Sequence, residues 1–433
     1  MPSGTDNRTK ALPSNLNVAP RFGSTKLGTV VIRAALALAA LTALLLIAAL
    51  PAQGGTEIVL YNFTGGSDGG NPQSSLISDG AGNFYGTTVS GGLPCQFVTC
   101  GTVFELSPNG SGGWNEIVLY AFTGGSDGAS PYSPLLLDRL GNLYGTTANG
   151  GANGYGGVVF ELSPAGASWT ETVLYSFCSQ WNCMDGAYPF TGLIMDSAGN
   201  LYGTTSWSGG ITFELSPSGG TWREQVIAPW GSTNAGLTMD ANGNIFGGRD
   251  GIVFELSPNG NGGWNASVIY RFACLRNGKC PRGSAIQGTP VLDQAGNIYG
   301  TTSTGGAHNY GTVYKLSPGT KGKWTGQILH SFKGGPKDGN DPWSGIVFDA
   351  FGSLYGTTCY GGKWNEGVIF ELQAPFGSGK YYKLKILWSF GGAGGAIPYG
   401  NLLIDSAGFL YGTTPWGGAG GNGVVFELTP YGH

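Results

Sequence analysis

The stretch GGSDG stands at 65–69 and again at 124–128. It fits the G-x-S-x-G frame, in which a serine nucleophile is raised on a strand–turn–helix elbow beside a histidine base. No window of this sequence has a helical apolar period, and later copies read GGPKDG or lose the serine. With His308, His330 and His433 as the only histidines, a Ser–His pair is not expected. DANGN at 240–244 opens with calcium-loop spacing but lacks the following glycine and the distal glutamate. A hairpin turn explains it without an ion, so no metal or other cofactor is expected, with calcium as the weaker alternative.

Carboxylates recur in two places. Asp68, Asp127, Asp185 and Asp338 each precede a glycine, where a turn-forming role competes with a ring of carboxylates binding cations or polar ligands. Glu105, Glu161, Glu214, Glu255, Glu371 and Glu427 sit in repeated FEL triplets, with Lys315 as the exception, and their repetition argues for a structural role. Aromatic residues that break the pattern say more: Trp207, Tyr360 and Trp416 near repeated GG steps, Trp364 beside Tyr360, Tyr155 and Tyr310 in equivalent loops, and Trp343 and Trp181 in another loop class. Such rings beside Asp and Asn suit stacking on sugars, whose apolar ring faces alternate with hydroxyls. Packing over glycine-rich loops is the competing reading.

The seven cysteines fall into three short-range pairs, Cys95/Cys100, Cys178/Cys183 and Cys274/Cys280, with Cys359 left over. Local disulfides are expected in an exported chain. A zinc knuckle would need tighter C-x₂-C spacing. Export is suggested by the N-terminus. Residues 1–33 carry Arg8, Lys10, Arg21, Lys26 and Arg33, and 34–52 is an apolar segment ending in small residues. These are the parts of a signal peptide, or of a signal-anchor that stays in the membrane. Beyond residue 52 the chain holds sixteen Lys and Arg against twenty-four Asp and Glu. With no basic run to displace counterions from phosphate, a nucleic-acid partner is not expected. Membrane contact is expected only through an uncleaved 34–52, and the protein is expected to be a monomer.

What must position these residues is a repeat. GNLYGTT occurs at 141–147 and 199–205, with variants at 82–88, 243–249, 296–302, 352–358 and 408–414. Around it lie four short runs rich in Val, Leu, Tyr, Phe and Thr and bounded by Gly, Pro, Asn or Asp, which are strand signals. They are named A (as LLLD), B (NLYGTT), C (VVFELS) and D (ETVLYSF). Steps of 59, 58, 44, 53, 56 and 56 between successive B-strand glycines put the length changes in loops. Four-stranded units of this period predict an all-β fold, a seven-bladed β-propeller over 57–430. EIVLYNF at 57–63 is a D strand with no A, B or C before it, and GVVFELTP at 423–430 is a C strand with no D after it. The ring is therefore expected to close by the N-terminal strand joining the last blade, which removes both open edges.

The unit, with its YGTT and VFELSP segments, resembles the GloVer-type tandem repeat of exported bacterial choice-of-anchor proteins, over essentially all of 57–430. The resemblance implies an extracytoplasmic propeller-like repeat and transfers no functional residues. Such proteins often carry a C-terminal anchoring segment, whereas this sequence stops at TPYGH. The fourth unit departs, with GNIFGGR lacking the Thr pair.

In such a blade the B–C and D–A loops share one end. Here they are long, variable and cysteine-bearing, the usual place for binding. The expectation is a non-enzymatic exported propeller, secreted, periplasmic or at the cell surface, binding an extracellular glycan or protein there. The alternatives are a polysaccharide lyase or hydrolase on the same scaffold, and a structural adhesion module. The candidate ligand-binding set is Trp207, Trp364, Trp416, Tyr360, Tyr155, Tyr310 and Trp343 together with Asp68, Asp127, Asp185 and Asp338.

Overall fold

The computed structural model describes residues 55–95, 100–231, 235–375 and 381–429; the regions 1–33 and 34–52 lie outside them. Among the described residues, seven sheets each hold four antiparallel strands in the order A–B–C–D, and they form the blades of a ring. Six blades follow the chain. The seventh takes A, B and C from Leu403–Ile404, Leu410–Thr414 and Val424–Thr429, and D from Thr56–Asn62. The expected seven-bladed propeller, closed by its N-terminal strand, is the fold.

One blade shows why the heptapeptide repeats. Blade 2 consists of Leu136–Leu137, Leu143–Thr147, Val158–Ala165 and Ser168–Ser176. Its A–B turn is wired by one carboxylate. Asp138 Oδ1 accepts the backbone N–H groups of Leu140 and Asn142, both at 2.8 Å, and Oδ2 accepts Asn142 Nδ2 at 2.9 Å and the Tyr144 hydroxyl at 3.3 Å. Gly141 makes the turn at φ +88°, where a side chain would be strained. The ring of Tyr144 then packs among Leu193, Leu201 and Phe213 of blade 3.

The remaining letters are equally accounted for. A Cβ on Gly145 would stand 2.5 Å from Phe160 Cζ, so the glycine lets the C-strand ring lie across the B strand. Thr146 donates its hydroxyl to the carbonyl of Pro189 in blade 3 at 3.1 Å, a staple between blades. Thr147 donates to the carbonyl of Asn149 at 3.0 Å and holds its own B–C loop. Each residue of YGTT has a packing or turn duty, which is why it is written so often.

The pairing of C with D carries the same irregularity in every blade: one D-strand residue is skipped, as between Val118 and Tyr120 in blade 1. The closing strand shows it too, between Val59 and Tyr61 opposite Phe426 and Val425. A bulge of this kind bends its strand and re-aims side chains. Its presence in Thr56–Asn62 identifies that segment as a true D strand.

The fourth blade departs as the sequence announces. Gly248 takes the place of the stapling threonine, and a Cβ there would stand 2.5 Å from Ile286 Cγ2 of blade 5. Ile286 in turn occupies the position held by Pro72, Pro131, Pro189, Pro342 and Pro398 in other blades. Arg249 reaches back to the Gly209 carbonyl of blade 3 at 2.9 Å and pairs with Asp250 at 2.9 Å.

Candidate functional site

The inner A strands begin beside the ring axis, and the residues just before them enclose an axial cup of about 120 Å³. Its bulky wall side chains stand at one position of the repeat, six residues before each A–B turn aspartate: Gln73, Tyr132, Phe190, Gln287, Trp343 and Tyr399; the two positions after it add Ser75, Pro134, Thr191, Thr289 and Asn401. Asn234 holds that position in blade 4 and lies outside the described residues. Around the wall, Tyr132 meets Phe190 edge-on with ring centroids 5.2 Å apart, and Trp343 meets Tyr399 at 5.3 Å.

A strained backbone delivers this wall. Two residues ahead of it stand Asn71, Ser130, Tyr188, Asp341 and Ile397, with φ of 58°, 56°, 57°, 61° and 56°. For tyrosine and β-branched isoleucine that left-handed conformation costs about 1–3 kcal/mol. Hydrogen bonds to the preceding blade hold it: Ser130 N–H donates to the Cys100 carbonyl at 2.8 Å, Tyr188 to Gly156 at 2.9 Å, and Ile397 to Glu366 at 2.8 Å. The proline that follows packs against a glycine of that same blade; Pro131 Cδ would stand 2.8 Å from a Cβ on Gly101. At the next position of the last blade a side chain has no room, since a Cβ on Gly400 would meet the Ser74 carbonyl at 2.8 Å.

Among the described residues no ionisable carboxylate, lysine, arginine or histidine lines the cup; its surface is aromatic rings, amides, hydroxyls and backbone. Asp341 stands just behind it, accepting a hydrogen bond from Trp343 Nε1 at 2.9 Å that fixes the indole. Burial pushes the Asp341 carboxyl above its ordinary value, partly offset by that bond.

The loop aspartates do not form a ring at the axis, because their own turns consume them. Asp127 accepts the Tyr120 hydroxyl at 3.2 Å, Thr123 N–H at 2.7 Å and Thr123 Oγ1 at 2.6 Å. Asp68 makes the same bonds to Tyr61 and Thr64. Asp185 takes Tyr175 and Ser179, each at 2.8 Å, while Asp338 faces His330 Nε2 at 3.2 Å and caps Gly339. None lines the cup. DANGN is likewise an A–B turn: Asp240 accepts from Asn242 and Asn244 in the pattern of Asp138.

The sequence-selected aromatics disperse over the loop end. Trp343 lines the cup, and Trp416 meets Tyr399 at 5.9 Å behind its wall. Tyr155 and Trp207 face a separate cleft against the 178–183 loop, and Trp364, under Lys363 at 4.5 Å, borders another with Trp388. Tyr360 pairs with Asn340 in a two-residue ladder, and Tyr310 lies over Gly334. Tyr132, Phe190 and Tyr399 were not singled out by sequence, although their fixed distance from the turn aspartate marks them once the units are aligned.

Perturbed carboxylates stand on the D strands instead. Glu116, Glu171 and Glu224 are each pushed up to about 7, first by burial and then by the charge of Asp68, Asp127 or Asp185. Glu57 is pushed up to about 7 by burial alone. Oε1 of all four is buried without a hydrogen-bond partner. Where blade 5 has Gly326 at the matching place, Arg282 donates to Tyr270 Oη at 2.9 Å and to the Gly326 carbonyl at 3.3 Å.

Disulfides join Cys95 to Cys100, Cys178 to Cys183 and Cys274 to Cys280, all in loops of the cup's end, and Cys359 is a buried free thiol. Three such bonds fit a protein that folds outside the cytoplasm.

No curated protein matches the chain. Among solved structures it is similar to a streptogramin B lyase, at 14% identity over 87% of this chain and 98% of that one, TM-score 0.53. It is also similar to an inactive histidine-to-alanine variant of virginiamycin B lyase from Staphylococcus aureus, at 14% identity, 87% and 98% coverage and TM-score 0.50. A third likeness is to PorZ, a surface component of the type-IX secretion system of Porphyromonas gingivalis, at 15% identity over 83% of this chain and 46% of that one, TM-score 0.51. At such identities these likenesses establish the fold alone. Sequence goes further: the Gloeobacter/Verrucomicrobia repeat model matches residues 46–248 and 244–433, two consecutive copies that together span the propeller, and the chain belongs to that repeat family.

Proposed function

We propose that this protein is an exported binding propeller whose axial cup takes a neutral glycan. The observation that carries the reading is the wall position itself. Gln73, Tyr132, Phe190, Gln287, Trp343 and Tyr399 vary among aromatics and amides, behind a proline in five of the blades. Aromatic faces stack on the C–H faces of sugars, and amides pair with hydroxyls. An uncharged wall offers no counter-ion to an anionic ligand. A retaining or inverting glycosidase needs two carboxylates about 5–10 Å apart, and among the described residues lining the cup there is none. The three disulfides and the apolar segment 34–52 fit secretion or display at the cell surface.

Calorimetric titration with neutral cello-, xylo-, manno- and chito-oligosaccharides tests this, with oligogalacturonate as the charged control. At least one neutral series is expected to bind, and Trp343→Ala to weaken it tenfold or more, about 1.4 kcal/mol, while the melting temperature stays close to the parent's. Binding confined to a protein partner, unaltered binding by Trp343→Ala, or release of reducing sugar from the bound glycan would each refute it.

A further inference from the structure

Beside the cup, between blades 2 and 3, lies a second cavity of about 370 Å³, walled by Tyr155, Tyr188, Trp207 and the disulfide-closed loop Cys178–Cys183. We infer that this cleft is the extension subsite for the glycan whose end the cup holds, so that the ligand is a chain of several sugars running outward over blade 3. The inference rests on the glycan reading of the cup.

Continuity is the first argument. Tyr188 faces the cleft and Phe190 faces the cup, on the single segment Tyr188–Pro189–Phe190. Two residues of extended chain span at most roughly 7 Å, so the two cavities share a wall. The strain at Tyr188, φ 57°, turns one ring outward while its neighbour but one lines the axis.

Chemistry is the second. Trp207 stands edge-on to Tyr188 with centroids 5.7 Å apart and is 48% exposed, and Tyr155 is 64% exposed. Gln180 and Asn182 bring amides to the same wall, and no charged side chain lines the cleft among the described residues. It repeats the cup's mixture of ring faces and amides in three times the volume, as several sugar units require.

Rigidity is the third. Cys178, Asn182 and Cys183 all hold positive φ, at 59°, 56° and 51°, within one disulfide loop. Non-glycine residues are kept in that region only where the surroundings over-determine them, and such strain gathers at ligand sites. The loop also keeps Trp181 and Met184 in water, 85% and 65% exposed, beside the cleft.

The experiment is a length series, two to six sugars, of whichever neutral oligosaccharide the cup binds, titrated into the full chain. Parent affinity is expected to rise tenfold or more from the dimer to the pentamer. Trp207→Ala should bring pentamer affinity down to that of the dimer, and Tyr155→Ala should lower the pentamer's several-fold. Trp343→Ala should weaken dimer and pentamer by the same factor. Affinity independent of length, or a Trp207→Ala variant that keeps the full rise, overturns the extension subsite and leaves the cup standing. Failure of every neutral oligosaccharide, at every length, overturns both. Circular dichroism and melting curves identify a variant that has lost its fold; Trp207→Phe, which keeps a ring, should then restore part of the rise, and its failure to do so counts against the subsite.

Discussion

Thr413 donates its hydroxyl to the Ser74 carbonyl at 2.7 Å across 339 residues of sequence. The same bond joins Thr87 to Ser133 at 3.2 Å and Thr301 to Ser344 at 2.7 Å. The last joint of the ring is therefore built like the internal ones. Tyr411 of blade 7 lies against Phe84 of blade 1 with centroids 4.6 Å apart, completing it.

Closure is tested through Phe63, which is fully buried and meets Phe104 at 5.2 Å. Phe63→Ala should cost about 3–5 kcal/mol, as aromatic truncations in cores do. Trp364→Ala, at a surface cleft, should stay within about 0.5 kcal/mol. Urea melts of both variants check the contrast. Equal stabilities would mean that the N-terminal strand does not latch the ring.

The joint between blades 4 and 5 predicts coupling. Gly248→Thr restores the repeat's own residue but drives its Cβ into Ile286, so overpacking should cost about 1–3 kcal/mol. Ile286→Pro should empty the space Gly248 leaves. The double variant recreates the joint of the other blades and should recover at least about 1 kcal/mol relative to the sum of the singles. Additive effects would show that the two departures are unrelated.

The D-strand glutamates make stability fall with rising pH. Glu57, Glu116, Glu171 and Glu224 stand at about 7 in the fold against an ordinary 4.5. A raised folded value means that the native state binds the proton more tightly. Their contribution is present in full below 4.5 and is lost as pH rises through 7. The turn aspartates act oppositely. Although burial opposes it, hydrogen bonds from the turn hold Asp79, Asp138, Asp196 and Asp293 below 3.8, and that contribution fades on acidification. Melting temperature should therefore be higher at pH 5.5 than at pH 8, and Glu116→Gln with Glu171→Gln should shrink the difference. A higher value at pH 8 in the parent would contradict this.

Cys359 should be silent to thiol reagents in the native protein. It is 1% exposed, its Sγ–H donates to the Pro398 carbonyl at 3.6 Å, and burial pushes its thiol well up. One thiol should titrate after denaturation and none before. More than one in denatured, unreduced protein would break the disulfide assignment.

Blade number, strand order and closure were readable because packing between like blades requires like residues: Asp138, Gly141, Tyr144, Gly145 and Thr146 each have one duty, repeated. The cup was not, for the complementary reason. The wall position is not held to one repeated contact, so it drifts from Gln73 to Tyr132 to Trp343 and looks like loop noise. The irregular loops pointed to Trp343, which lines the cup, to Tyr155 and Trp207, which line the cleft beside it, and to Trp364, which borders another. For the loop aspartates, recurrence beside Gly suits a ligand ring and a capped turn equally, and their bonds to Tyr61, Tyr120 and Tyr175 are visible only in the fold.

Thr56 pairs with Thr429 at the end of blade 7 where blade 2 turns from Ala165 to Ser168. The break in the ring is thus a C–D turn left unmade, and six made ones are its equivalents. A circular permutant, with 429 tied to 56 by a copy of the 108–113 turn and reopened at another C–D turn, would keep every joint and the cup intact. Those turns lie on the far side of each blade from the B–C and D–A loops. A chain break moved to any of the six made C–D turns therefore stays away from the loops that wall the cup.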